Sequence, residues 1–207
     1  MSQIFILGDS NAYGCWDESG GWVDRLKQYY HKKIIQSNYS VDHTIYNLGV
    51  LGDTSNDVLE RYKFEIGNRL SDYPNERIII IAIGTNDSML SVQGNKSFVD
   101  ISEFENNLKK LIGGCKELTD KVYILDIPPV DESKTKPIPW FSDWSYTNDE
   151  VKKYNEVIYR LAGEASLIKI NSELVKQNIQ DVICDGVHLS SKGHEIVFEI
   201  VKDHLQI

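Results

Sequence analysis

Apolar residues along this chain fall into two rhythms. Ile4-Phe5-Ile6-Leu7 and Arg77-Ile78-Ile79-Ile80-Ile81-Ala82-Ile83 are nearly unbroken apolar runs, the pattern of strands covered on both faces. Thr44 to Asn47, Lys121 to Asp126 and Leu167 to Ile170 supply three further strands. Between the strands the period lengthens. Val58, Leu59, Tyr62, Ile66 and Leu70 recur at helical spacing, as do Phe104, Leu108, Leu111, Ile112, Cys115 and Leu118. Val151, Tyr154, Ile158, Leu161, Ala162 and Ala165 form a third stripe, and Ile196, Val197, Ile200, Val201 and Leu205 a fourth. Such stripes pack on a sheet, and strands alternating with helices predict an α/β protein whose parallel sheet carries helices on both faces. The longest stretch without periodicity runs from Pro128 to Thr147, and long loops in compact domains are often functional.

Composition narrows the picture. The 207 residues, with 41% hydrophobic and 26% charged content, suit one domain over 1–207. No apolar run approaches the ~20 residues of a membrane span. Met1-Ser2-Gln3 passes directly into the first strand without a basic and then apolar leader, so a cytoplasmic location is expected. Cys15, Cys115 and Cys184 have neither the pairing of a disulfide scaffold nor the spacing of a zinc site. A net charge of −9 argues against nucleic acid and anionic membranes as partners.

Polar groups gather where the predicted strands end. Gly8-Asp9-Ser10 follows the first strand, Asn47-Leu48-Gly49-Val50-Leu51-Gly52-Asp53-Thr54 the second, and Gly84-Thr85-Asn86-Asp87 the third. Ligand sites of open α/β sheets lie at these carboxyl ends. Asp185-Gly186-Val187-His188 precedes the last helix. An Asp three residues before a His can accept the ring Nδ1–H, leaving Nε2 to take a proton from a hydroxyl. Each segment alone also has a plain structural use, as a cap, a turn or a satisfied histidine. Asp9 is expected to shape the turn under Ser10, and Asp87 to bond nearby loops.

In this order and spacing the four segments resemble the conserved blocks of the SGNH (GDSL) hydrolases, a family of esterases and lipases. The likeness runs from Gly8 to His188, and Phe104-Glu105-Asn106-Asn107-Leu108 resembles the family's helix after its third block. Gly14 completes a GDSxxxG block, while Asn11 and Ala12 replace a more usual apolar pair. The resemblance implies a three-layer α/β/α flavodoxin-like fold with about five parallel strands. It also implies Ser10 as nucleophile, His188 as general base and Asp185 as its orienting acid. The oxyanion hole would comprise the N–H groups of Ser10 and Gly52 and the Asn86 amide. Serine needs such a base, and the tetrahedral oxyanion needs preorganised donors. No cofactor and no metal are expected.

Pro137 to Tyr146 holds Trp140 and Trp144, two of the chain's four tryptophans. They are expected either to wall the substrate site or to cover a sheet edge or subunit contact. The function expected is hydrolysis of a small-molecule ester, short-chain or an O-acylated carbohydrate, through an acyl-serine. A thioesterase or lysophospholipase, and an acyltransferase, would use the same groups. A flavin-binding module would need a phosphate loop that Gly8 to Gly14 scarcely supplies. A metallophosphatase would recruit Asp9, Asp87, Asp185 and His188 as ligands and leave Ser10 and Asn86 without a purpose.

Overall fold

A computed structural model describes residues 2–71, 76–93 and 96–205. The chain opens with β1 (Ser2–Gly8), α1 (Ser10–Tyr13), α2 (Gly21–Gln36), β2 (His43–Gly49) and α3 (Ser55–Gly67). It continues through β3 (Glu76–Ala82), β4 (Leu90–Ser91), α4 (Ile101–Lys116), β5 (Val122–Leu125), α5 (Glu132–Thr135) and β6 (Trp144–Ser145). The remainder comprises α6 (Asn148–Arg160), β7 (Ser166–Ile168), α7 (Asn171–Leu174), α8 (Ile179–Val182) and α9 (Ser191–Leu205).

Five strands form one sheet in the order β2-β1-β3-β5-β7, with every pairing parallel. β4 and β6 make a separate antiparallel pair. The apolar runs explain why β1 and β3 are central: successive side chains point to opposite faces, so only an unbroken run buries both. Phe5, Leu7, Ile79 and Ile81 join one core with residues of α3, α4 and α6. Ile4, Ile6, Ile78 and Ile80 join the other, with residues of α2 and α9. Each fully buried side chain of this size contributes about 1.5–3 kcal/mol, so these two strands anchor both layers. This is the expected three-layer α/β/α arrangement. No helix among the described residues is long and apolar enough to cross a membrane.

Besides the short elements α1, α5, α7, α8, β4 and β6, which the periodicity does not predict, two elements depart from the sequence reading. α2 is an additional helix, whose buried Trp22, Val23, Leu26 and Tyr30 pack in the α9 layer. Its helical spacing is present in the sequence, but it begins at Gly20-Gly21, which reads as a loop, and ends among polar residues. The last strand ends at Ile168 rather than Ile170. There the Asp126 carboxylate accepts the N–H groups of Ile170 (2.6 Å) and Asn171 (2.9 Å), which draws the backbone out of the ladder.

From β1 the chain passes to β2 on one side, and β3 then lies on the other side of β1. That reversal is a topological switch point, where the loops after neighbouring strands diverge and leave a crevice. Ser10 follows β1, Gly52 follows β2 and Asn86 follows β3, so all three open at it.

Candidate active site

The turn that carries Ser10 is shaped by close packing. A Cβ on Gly8 would stand 2.5 Å from the Ala82 carbonyl oxygen and 2.6 Å from the Ala12 Cβ, so the chain can bend here only without a side chain. Asp9 caps the short helix α1, its carboxylate accepting the Asn11 N–H at 2.9 Å. Burial pushes the Asp9 carboxyl up to about 6, against the lowering pull of that N–H. Ser10 is thereby presented at the start of α1.

Ser10 Oγ lies 2.9 Å from His188 Nε2, and His188 Nδ1 lies 2.6 Å from Asp185 Oδ2. The other Asp185 oxygen accepts the N–H groups of Val187 (3.0 Å) and His188 (2.9 Å), which ties the loop into a turn around its own carboxylate. Burial alone would raise Asp185. The bonds from the His188 ring and from the two N–H groups outweigh it and hold the carboxyl well below the usual range. An ionised Asp185 fixes the tautomer with its proton on Nδ1, which leaves Nε2 an acceptor facing the serine.

Two further side chains join the loops that carry these groups. Asn11 Oδ1 accepts the Leu189 N–H at 3.0 Å and its Nδ2 faces the Val187 carbonyl at 3.5 Å, so one amide grips the backbone on both sides of His188. Trp16 Nε1 donates to Asp185 Oδ2 at 3.1 Å, and its ring meets the His188 ring edge-on, with centroids 5.8 Å apart.

Across the switch point, Gly52 has φ +81°, a left-handed conformation that favours glycine. The N–H groups of Ser10 and Gly52 have no hydrogen-bond partner among the described residues. Asn86 Nδ2 donates to the Asp53 carbonyl at 2.8 Å, which brings its amide beside the loop of Gly52, and its Oδ1 accepts the Tyr146 hydroxyl at 2.8 Å. With Oδ1 occupied, the amide is oriented, and its second N–H has no partner among the described residues. Asp87, fully buried, accepts from Ser55 N–H and from Ser55 Oγ at 2.5 Å, joining the β3 loop to α3. Burial pushes Asp87 up to about 7, opposed by those Ser55 bonds. Arg61 completes the frame: Nε meets Asp53 Oδ2 at 2.7 Å, and Nη2 donates to the carbonyls of Leu48 (2.8 Å) and Gly8 (3.1 Å).

The structure thus brings Ser10, Asp185 and His188 together, with Gly52 and Asn86 on neighbouring loops. Trp140 and Trp144 stand apart. Trp140 is largely exposed, and Trp144 packs on Phe98 and Phe141. Neither makes a hydrogen bond or ring contact with Ser10, Asp185 or His188 among the described residues. Their segment reaches the site through Tyr146. His194 is a satisfied core histidine, bonded to the Cys15 carbonyl and the Trp22 N–H. Asn11, Trp16, Arg61 and Tyr146 are the functional neighbours that sequence reasoning missed. Only Asn11, an amide where an apolar residue is usual, carried a local signal. Among the described residues no group of three or more His, Cys, Asp or Glu is placed to hold a metal ion.

An oriented imidazole beside a hydroxyl, with free N–H donors across a crevice, is suited to acyl transfer through a tetrahedral oxyanion. Comparison with known proteins agrees with this chemistry. The family model for GDSL-like lipase/acylhydrolase matches residues 4–201. A curated GDSL esterase/lipase of Arabidopsis thaliana is 24% identical over 217 residues, covering 99% of this chain and 86% of that protein. Among solved structures, a lipase/acylhydrolase from Enterococcus faecalis superposes with a TM-score of 0.76 at 21% identity, covering 99% of this chain and 95% of its own. An acetyl xylan esterase superposes at 0.72 with 16% identity, over 98% and 99% of the two chains. The chain belongs to the GDSL-like lipase/acylhydrolase family and is a carboxylic ester hydrolase.

Proposed function

We propose that this hydrolase works through an acyl-serine on Ser10 and acts on short-chain carboxylic esters, including O-acylated carbohydrates. The observation that carries the reading is the unbroken relay from Ser10 Oγ through His188 to Asp185, at 2.9 and 2.6 Å. Ser10 Oγ attacks the acyl carbon while His188 Nε2 takes its proton. The carbonyl oxygen becomes an oxyanion, received by the Ser10 and Gly52 N–H groups and the free Asn86 N–H. As the intermediate collapses, the ester C–O bond breaks and His188 returns the proton to the departing alcohol. Water then attacks the acyl-serine by the same route, releasing the acid and restoring Ser10. Asp185 stays ionised throughout, orienting the ring and stabilising its charged form. An acetyl xylan esterase of the same fold supports including acylated sugars among the substrates.

Ser10→Ala tests the mechanism. It should abolish hydrolysis of an acetyl ester and covalent labelling by a fluorophosphonate, with an unchanged circular dichroism spectrum. Activity within about tenfold of wild type in a folded variant overturns the serine mechanism, because loss of a nucleophile costs far more than this.

A further inference from the structure

We propose that Trp16 is a positioning and specificity residue of this site: its indole N–H braces Asp185, and its exposed face borders the side on which the alcohol leaves. The proposal rests on the hydrolytic reading of Ser10, His188 and Asp185.

Trp16 Nε1 donates to Asp185 Oδ2 at 3.1 Å, the oxygen that also faces His188 Nδ1. With Val187 and His188 N–H groups on Oδ1, the carboxylate takes four donors and its acceptor sites are filled. The edge-on ring contact supports the imidazole from the side as well. Yet Trp16 is 67% exposed. Burial therefore does not hold this large ring; the bond to Asp185 and the contact with His188 do. The result is an apolar face left open beside the imidazole. The departing alcohol must sit against His188 to receive the Nε2 proton, so an open aromatic face touching the same imidazole is assigned to the alcohol side rather than the acyl side. A flat aromatic surface there fits a ring alcohol, which can stack its aryl or C–H face on the indole.

A donor on Asp185 spreads the carboxylate's charge and weakens its hold on a protonated imidazole. Deleting the N–H alone should therefore move the acid limb of the rate profile upward. The other groups acting on this pair are Asp9 on the turn of Ser10, His194 on α9, Tyr146 after β6, Cys15 and Cys184; Lys134 of α5 meets the Cys184 carbonyl through its Nζ. All of them are unchanged when Trp16 is replaced.

Trp16→Phe keeps a ring and deletes the donor, whereas Trp16→Ala removes both. The measurements are kcat and KM against pH on one acetyl ester, then rates on acetyl esters of aryl, pyranosyl and linear alcohols. Trp16→Phe should raise the acid limb by about half a pH unit and lower kcat about 3- to 10-fold with KM little changed, keeping the wild-type alcohol preference. Trp16→Ala should in addition lose about tenfold in preference for ring alcohols over linear ones. A preference lost for aryl but not pyranosyl esters, or the reverse, identifies which ring alcohol the indole receives. Indole emission gives an independent readout, since a protonated imidazole quenches a neighbouring indole more than a neutral one. The emission should titrate in wild type and in Ser10→Ala but not in Trp16→Phe. An unmoved acid limb and an unchanged emission titration in Trp16→Phe overturn the brace. A wild-type alcohol preference in Trp16→Ala overturns the wall. Full activity in Ser10→Ala would instead sink the serine mechanism, while the emission titration of that variant still tests the Trp16 contact.

Discussion

The role proposed for Asn86 requires one orientation of its amide, and Tyr146 sets it. The Tyr146 hydroxyl on Oδ1 turns Nδ2 toward Asp53 and the loop of Gly52. Asn86→Ala should lower kcat by about 10²–10³ with KM little changed, because the donor matters chiefly once negative charge develops. Tyr146→Phe leaves the amide in place but unoriented, and should cost about tenfold in kcat. A rise in KM alone in steady-state kinetics would mean that Asn86 binds the ground state. Asp185 makes a second prediction, in pH. Its folded-state pKa is depressed below the ordinary 3.8, so its bonds stabilise the fold above that value, and the stability is lost as pH falls through the lower folded pKa. Asp185→Asn should thus have a lower Tm than wild type at pH 7, and the gap should close below about pH 4. Its kcat at pH 7 should fall by about 10³–10⁴, since the amide cannot fix the imidazole tautomer. Wild-type kinetics in this variant would send the search to another carboxylate. The Asp185-His188 pairing was legible in the sequence because the two lie only three positions apart. Tyr146 and Asn86 lie 60 residues apart, and no local pattern links them.

At the scale of elements, α3 serves as a clamp as well as a packing helix. Arg61 on α3 bonds the Gly8 carbonyl at the end of β1, the Leu48 carbonyl in β2 and the Asp53 carboxylate beside Gly52. One guanidinium thereby sets the separation between the Ser10 turn and the Gly52 loop. Burial raises the Asp53 carboxyl, and the Arg61 bond and charge oppose that rise. Lysine has a single charged nitrogen and cannot reach all three acceptors in this fork geometry. Arg61→Lys should lower kcat about 10- to 100-fold, by analogy with other supporting contacts, and lower Tm by several degrees. Unchanged kcat with a lowered Tm, read by steady-state kinetics and calorimetry, would confine Arg61 to stability. The apolar stripe of α3 is visible in the sequence, but no local pattern there marks Arg61.

For the whole molecule, the space around Ser10 sets substrate size. The cavity behind the Ser10 turn, lined by Asp9, Asn11, Ala12 and Trp22 among others, holds about 20 Å³, enough for a water, and is not lined by Ser10 or His188. A cleft of about 680 Å³ carries Glu132, Lys152, Lys153 and Glu156 beside Leu90, Val92 and Pro137, and is not lined by Ser10 or His188 either, so neither space can bed the acyl chain of an ester on Ser10. Acetyl to butyryl esters should therefore be hydrolysed faster than long-chain ones in a graded panel of nitrophenyl esters. An optimum at ten or more acyl carbons would contradict this and place the enzyme among lipases. The aromatic segment alone did not decide the question, because Trp144 is occupied by Phe98 and Phe141.

Short-range patterns made the layers and the polar blocks readable. Alternation of unbroken apolar runs with helical stripes specifies strands and helices because burial must match the 2.0 and 3.6 periods of the backbone. Strand-end glycines beside Ser10, Gly52 and Asn86, and the local Asp185-His188 turn, follow from backbone sterics and spacing in the same way. What only the tertiary structure decided is contact across long separations. His188 reaches Ser10 across 178 residues, Trp16 reaches Asp185 across 169, and Arg61 spans the ends of β1 and β2. Such contacts form only after sheet order and helix packing have closed the intervening loops. Their energy comes from geometry that no single stretch of chain contains, so the supporting residues become visible only once the fold is assembled.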